Sequence, residues 1–311
     1  MKNFIQRIIK PSRGIEHKVS LSQKDKIFNV TCTVDLKNIS DHGVNGTLII
    51  PCLQQSQRQN LESEIMFSKP AVIHYDEIYG NLYAAIDLEF QSQKEEKILI
   101  TFHQKNSAKN IKADSNSTSK YLLKNRYIVL DDPKLIKISE SFKFKGETAD
   151  QKAQKIYSYV IEKLQYGKPI EGLYSSTEAL KNDCVDCGGF DTLFVSLCRL
   201  NSIPARVVSG FWLGYKKNTM HAWAEYLGED NAWIPVDPSV EWLCMAGRTK
   251  KRGGFNDIGT DRIIFSYGSD IPVVVGGKKH RIPILQHPHF FQDKEKNDIR
   301  LSFTITTDKD A

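Results

Sequence analysis

Residues 186–210 read DCGGFDTLFVSLCRLNSIPARVVSG. The apolar run at 192–197 behind Cys187 predicts a buried helix that starts at Gly188-Gly189 and ends near Leu200. Pro204 then separates it from a strand near 205–213. Two further segments, 221–227 and 232–237, read as neighbouring strands, the first beginning with His221 and the second ending with Asp237. A thiol at a helix start, with an imidazole and a carboxylate on adjacent strands, is the layout of an activated cysteine nucleophile. The order Cys187, His221, Asp237 therefore suggests acyl transfer on an amide.

Each residue has a blander reading. A lone cysteine is usually a small apolar residue, a lone histidine is often structural, and an Asp before Pro often only starts a turn. Joint placement raises all three. A helix N-terminus and an adjacent imidazole both lower a thiol pKa from its free value of about 8.5. The paired glycines let backbone and substrate approach the sulfur, so the N–H of Cys187 or Gly188 is a candidate oxyanion donor. Asp237 could accept from the imidazole and fix its tautomer. Cys184-Val-Asp-Cys187 also forms a Cys-x-x-Cys pair. Structural zinc needs about four ligands and no second such pair exists, while a redox dithiol wants a thioredoxin-like βαβ setting. No metal and no cofactor are expected, and a reversible Cys184–Cys187 disulfide stays open. Alternation puts His221, Trp223 and Glu225 on one face. Trp223 then packs in the core or lines the cleft, Arg206 at the helix-to-strand junction pairs with a carboxylate, and Tyr174, Trp212 and Tyr215 are candidates for an aromatic rim facing substrate.

The chain has 311 residues, 40% hydrophobic and 26% charged, with 43 basic against 37 acidic side chains. Those values suit a globular protein of two or three domains. Short basic runs at 248–252 and 278–281 read as solvated loops, and without a basic stripe interleaved with aromatics no nucleic-acid partner is expected. Residues 1–10 lack the apolar core of a secretory signal, and nothing approaches the ~18 apolar residues of a membrane span. A cytoplasmic location is the expectation, with six sparse cysteines as reduced thiols. Oligomeric state is not legible.

Residues 15–106 carry alternating or β-branched runs at 26–36, 46–53, 65–75, 82–90 and 96–104, parted by polar turns. They predict an antiparallel sandwich, taken as a domain over 1–106. The small polar stretch 107–120 reads as a linker. Residues 121–311 read as an α+β catalytic domain. Thr148 with Gln151 and Ser175 with Glu178 have the form of capping boxes, opening a helix with Ala153, Ile156, Tyr157, Val160, Ile161 and Leu164 on one face and a shorter helix at 176–182. Weaker strand signals at 261–266, 271–275 and 300–306 could complete the catalytic sheet as a C-terminal β extension or form a small cap.

The segment 186–210, with HAWAE at 221–225 and WIPVDP at 233–238, closely resembles the nucleophile and two later motifs of the transglutaminase-like superfamily. The resemblance covers about 130–270 and implies a papain-like α+β core with Cys187, His221 and Asp237 as the triad. The sandwich ahead of it is similar to the N-terminal β-domain of bacterial members. It also implies a cysteine-dependent enzyme forming a thioester on a protein or peptide substrate. Hydrolysis in the manner of a protease or amidase is favoured. Alternatives are protein-glutamine transglutamination, with an amine acceptor, and a non-catalytic interaction module. No calcium-loop pattern of alternating acidic residues like that of the animal enzymes is present.

Overall fold

The computed structural model describes residues 24–114, 118–292 and 298–308. The segment 1–10, on which the absence of a signal was read, lies outside them. The fold is α+β. Its N-terminal strands pack as two antiparallel sheets around one core. The first sheet has the order β18 (Ile299–Asp308), β1 (Lys26–Asn38), β7 (Glu95–Asn106), with β3 (Gln59–Leu61) and β4 (Met66–Phe67) both against β7. The second has the order β17 (His289–Gln292), β2 (Val44–Pro51), β6 (Leu82–Phe90), β5 (Val72–Tyr75). Strict alternation explains the arrangement. Val30, Cys32, Val34 and Leu36 of β1 face inward with Ile98, Ile100 and Phe102 of β7, against Leu48, Ile86 and Leu88 of the other sheet.

The second half builds on a five-stranded sheet of order β14 (Arg262–Tyr267), β11 (Ala205–Trp212), β12 (Met220–Leu227), β13 (Ala232–Val236), β8 (Ile111–Lys112). The helices are α1 (Pro133–Ser141), α2 (Ala149–Lys163), α3 (Ser176–Asn182), α4 (Cys187–Leu200) and α5 (Pro238–Met245). Both expected capping boxes form, at Thr148 with Gln151 and at Ser175 with Glu178. Helix α4 is apolar on nearly every side because it is enclosed: Phe190, Leu193, Phe194, Val195 and Leu197 share a core with α2 and with Ala205, Val207, Ala224 and Tyr226 of the sheet. Each such side chain contributes about 1.5–3 kcal/mol by leaving water. A short parallel pair, β9 (Gln165–Tyr166) and β10 (Cys184–Val185), leads into α4. Arg206 pairs across the strands with Glu225, whose Oε2 accepts its Nη2 at 2.6 Å and its Nε at 2.8 Å. Its guanidinium lies between the rings of Trp233 and Tyr267. That buried pair serves the fold.

The tail divides three ways. Strand β14 completes the five-stranded sheet beside β11. The hairpin of β15 (Ile271–Val275) and β16 (Lys278–Ile282) turns on Gly276-Gly277, both at positive φ, and caps Ile49 and Tyr83. Strands β17 and β18 correct the expected C-terminal extension of the catalytic domain, since they add to the sandwich. Phe303, Leu301 and Ile305 of β18 stand opposite Val34, Leu36 and Cys32 of β1, so their apolar face finds the open edge of that core. The segment 107–120, read as linker, likewise supplies β8 to the edge of the five-stranded sheet.

Strand β14 is an edge strand, and the sandwich covers its free side with side-chain amides. Gln59 donates to the Ile264 carbonyl at 2.8 Å and accepts from the Ile264 amide at 2.9 Å. Asn106 Nδ2 donates to the Arg262 carbonyl at 2.6 Å, Gln54 Nε2 to the Phe265 carbonyl at 3.0 Å, and Asn81 exchanges two hydrogen bonds with Tyr267. Phe211, Ile263 and Phe265 of the five-stranded sheet enter the sandwich core on the same side. The two halves are therefore joined by paired polar groups and shared apolar packing. Gln59→Leu strands the Ile264 N–H, whereas the Ile264 carbonyl keeps the Gln54 backbone amide at 3.1 Å; at ~1–3 kcal/mol for a buried unpaired group, it is expected to lower the unfolding free energy by about 1–3 kcal/mol in chemical denaturation, whereas the exposed neighbour Gln55→Leu changes it little.

Candidate active site

Cys187 is the first residue of α4. The cap is Asp186, whose Oδ1 accepts from the Gly189 amide at 3.3 Å and whose Oδ2 accepts from the Ile170 amide at 3.2 Å. The Gly188 amide is also directed at that carboxylate. Of the two amides expected as oxyanion donors, that of Gly188 is thus drawn toward the cap, and that of Cys187 stands at the first position of α4. The glycines have a steric cause: a Cβ on Gly188 would stand 2.5 Å from Leu173 Cδ1, and one on Gly189 2.5 Å from Val185 Cγ2. Protein side chains fill the space that was expected to admit substrate.

His221 enters from β12, in register with Gly210 of β11. Gly210 lies at a β-bulge, and any Cβ there would fall 1.7 Å from the Ile263 carbonyl oxygen of β14. The Gln286 amide donates to the carbonyls of both His221 and Gly210 at 3.0 Å, fastening this stretch from the tail. Trp212 stacks on the imidazole with ring centroids 4.7 Å apart, and Lys251 lies over the same indole.

Asp237 ends β13 and caps α5, and its carboxylate is fully used. Oδ1 accepts from the Val240 amide and the Ser239 hydroxyl, each at 3.0 Å. Oδ2 is 2.7 Å from His221 Nε2 and 2.7 Å from Arg262 Nη1. Side-chain exposures of 0% for Asp237, 5% for His221 and 3% for Arg262 leave this cluster without solvent. A carboxylate only accepts, so Nε2 carries the proton and Nδ1 is left as the basic nitrogen. Burial alone would raise the Asp237 carboxyl, but His221 and Arg262 overcome it and hold it well below the usual carboxylate range.

The Cys187 sulfur faces the Ala222 amide, one residue along from His221, and the residue stays partly exposed. Burial pushes this thiol well above its ordinary value, and the neighbouring Asp186 and Asp191 push the same way. His221 is shifted down, first by burial, with Asp237 opposing and Arg262 and Lys251 adding to the shift. Both directions reverse the expectation of a thiol lowered by its surroundings, because burial opposes the charged form of each group, with Asp186 adding to it at the sulfur and Arg262 at the imidazole. Asp191, one turn along α4, is wholly buried; among the described residues neither of its oxygens has a hydrogen-bond partner, and burial raises it strongly toward its neutral form.

Of the candidate rim, Trp223 is fully buried with Val208, Ile258 and Ile264, so it belongs to the core. Trp212 is buried as well and supports the imidazole from behind, while the Tyr174 hydroxyl is spent on the Lys168 carbonyl. Tyr215 stays half-buried, with its hydroxyl on Asp261. All six cysteines are free, and among the described residues no group of three or more His, Cys, Asp or Glu could hold a metal ion. Arg262 was missed. Its trace in the sequence is the charged Arg262, after Asp261, heading the apolar run Ile263-Ile-Phe265, where a buried strand tolerates a charge only with a partner.

Asp237→Asn removes one member of a buried pair and leaves Arg262 uncompensated, at a cost of about 3–5 kcal/mol. A depressed carboxyl contributes its full stability above the unfolded pKa and loses it as pH falls through the folded value. The wild-type advantage over Asp237→Asn, measured by urea unfolding, should therefore be constant above about pH 5 and shrink as the pH drops below about 4.

Residues 137–238 match the family model of the transglutaminase-like superfamily. No curated protein matches the sequence. Among solved structures, the chain is similar to a candidate cysteine protease from Cytophaga hutchinsonii, with 15% identity, a TM-score of 0.57, and coverage of 91% of this chain and 99% of that one. It also shares 13% identity with the periplasmic domain of TgpA from Pseudomonas aeruginosa bound to ethylmercury, at a TM-score of 0.36, covering 68% of this chain and 78% of that one. The Cytophaga likeness shows a common fold across both halves. Among the described residues no helix is long and apolar enough to cross a membrane. The chain carries a transglutaminase-like domain over residues 137–238, the fold of a superfamily of cysteine-dependent enzymes.

Proposed function

We propose that the protein hydrolyses a peptide or carboxamide bond through a thioester on Cys187. The observation that carries this reading is the buried His221–Asp237 pair, 2.7 Å apart, whose free imidazole nitrogen belongs to the residue preceding the amide that faces the sulfur. In the first half-reaction the sulfur attacks the carbonyl carbon, His221 takes the thiol proton, and the carbonyl electron pair moves onto oxygen. The Cys187 amide, at the positive end of α4, receives that oxyanion. Collapse expels the amine, which leaves with the proton from His221. Water, deprotonated by His221, then opens the thioester and frees the acid. Asp237 holds the tautomer throughout. The match to the transglutaminase-like family model over residues 137–238 agrees with this reading, as does the likeness to a protein named as a candidate cysteine protease.

Turnover on a panel of peptide amides and glutamine peptides, with and without a primary amine, tests the proposal. Cys187→Ala is expected to abolish product on every substrate while leaving the thermal melt unchanged, whereas Cys184→Ala retains activity; the reverse pattern moves the nucleophile three residues upstream. Amine incorporation that outruns hydrolysis would make the acceptor an amine instead of water.

His221→Ala should cost about ten-thousand-fold or more in kcat/KM, at least as much as Asp237→Asn. Combining the two should be barely worse than His221→Ala alone, because the groups act as a unit. Losses that add would show Asp237 working elsewhere than on His221.

A further inference from the structure

The buried charges around His221 do not balance as a thiolate–imidazolium pair would need. Such a pair is favoured at rest by net negative charge behind the imidazole and disfavoured by positive charge there. Here Asp237 Oδ2 already accepts Arg262 Nη1 at 2.7 Å, the same distance as His221 Nε2. A guanidinium does not deprotonate in proteins, so its charge is permanent. The single negative charge of Asp237 is therefore compensated before the imidazole takes up any proton, in a cluster that solvent does not reach.

We propose that Arg262 is a positioning residue that keeps the Cys187–His221 couple uncharged at rest, so that the thiolate forms only as a carbonyl arrives to receive it. This rests on Cys187 being the nucleophile. Most of the charges around the couple act in the same sense, while the Ala222 amide favours a negative sulfur. From β14, Arg262 opposes a second positive charge on the imidazole. From the loop after α5, Lys251 lies over Trp212, which stacks on His221, and does likewise. At the start of α4, its N-cap Asp186 opposes a negative charge on the sulfur. Only Asp237, at the end of β13, favours the imidazolium, and it is shared. In the presence of substrate the transfer is coupled: the carbon–sulfur bond forms, the carbonyl electron pair moves onto oxygen, and the thiol proton passes to His221 Nδ1. No thiolate waits exposed between turnovers.

Arg262 is held for this task. Its Nη2 donates to the Arg252 carbonyl at 2.7 Å, its guanidinium lies 4.1 Å from the Trp212 ring centre, and its own carbonyl is gripped by Asn106 from the sandwich. The sandwich thus reaches the catalytic imidazole through one strand and one side chain.

The test is the rate at which iodoacetamide alkylates Cys187, followed by peptide mass spectrometry from pH 4 to pH 9. A sulfur–carbon bond forms, iodide leaves, and the rate follows the thiolate fraction. For the wild type the expected rate rises about tenfold per pH unit from pH 5 to pH 8, with no plateau at low pH. Arg262→Lys, which keeps the charge, should preserve that profile. Arg262→Gln should raise the rate at pH 5 by about tenfold or more and level off below pH 6. A wild-type plateau extending down to pH 4–5, or an Arg262→Gln profile that superimposes on the wild type, overturns the proposal. If Arg262→Gln does not fold, the wild-type profile decides alone. A Cys187 that stays inert at every pH while the exposed Cys244 reacts would sink the nucleophile assignment itself, an outcome distinct from either profile.

Discussion

One oxygen atom, Oδ2 of Asp237, accepts both the imidazole and a guanidinium, and the architecture of the second half of the chain is arranged to bring three separate strands to it. Asp237 terminates β13 and starts α5, His221 comes from β12, and Arg262 comes from β14 on the far side of β11. The other oxygen is committed to the first turn of α5. A carboxylate with four donors and no solvent cannot rotate without losing several buried hydrogen bonds together, so strand positions, helix start and imidazole orientation are mutually enforced. The bulge at Gly210 belongs to the same constraint, since only a residue without Cβ lets the Ile263 carbonyl cross there.

The sandwich is a structural component of that site. An exposed edge strand would leave β14 a row of unpaired backbone groups and the freedom to fray. Gln54, Gln59, Asn81, Gln104 and Asn106 convert the edge into a buried, hydrogen-bonded seam. Amide side chains suit the task because each offers a donor and an acceptor and can imitate a neighbouring strand without extending the sheet. The seam fixes the main chain at Arg262, and Arg262 fixes the charge seen by His221.

Much of this was legible in the sequence wherever the information is local. The unbroken apolar run behind Cys187, the two capping boxes and the alternation in β1, β6 and β7 each state their own conformation within about a dozen residues. His221 and Asp237 could be paired because their strands follow one another with a short turn between them. What escaped depends on contacts distant in sequence. Nothing around Ile299–Asp308 says that its apolar face will meet β1, and the neutralising role of Arg262 exists only once β14 lies beside β11. The glycines after Cys187 were read from chemistry as room for substrate, whereas packing uses them to admit Leu173 and Val185. Trp223 could face a cleft or a core on periodicity alone, and the closure of Ile258 and Ile264 over it decided for the core.

The pairing of β1 with β18 also has a kinetic side. Ten register positions join Asn29–Asn38 to residues 299–308, so β1, once made, waits for a strand far along the chain. Until then the inward face of β1 lacks Ile305 and one long edge of its sheet is open. Closing so large a loop carries an entropic cost before any contact rewards it, which places the molecule among slow, high-contact-order folders. During that interval the helical core around α4 can collapse on local contacts, while the sandwich offers a template for pairing with other nascent chains. Because β14 is clamped by the sandwich, the surroundings of Cys187 mature after β1 and β18 have met. The protein would thus acquire its chemistry as the last event of folding.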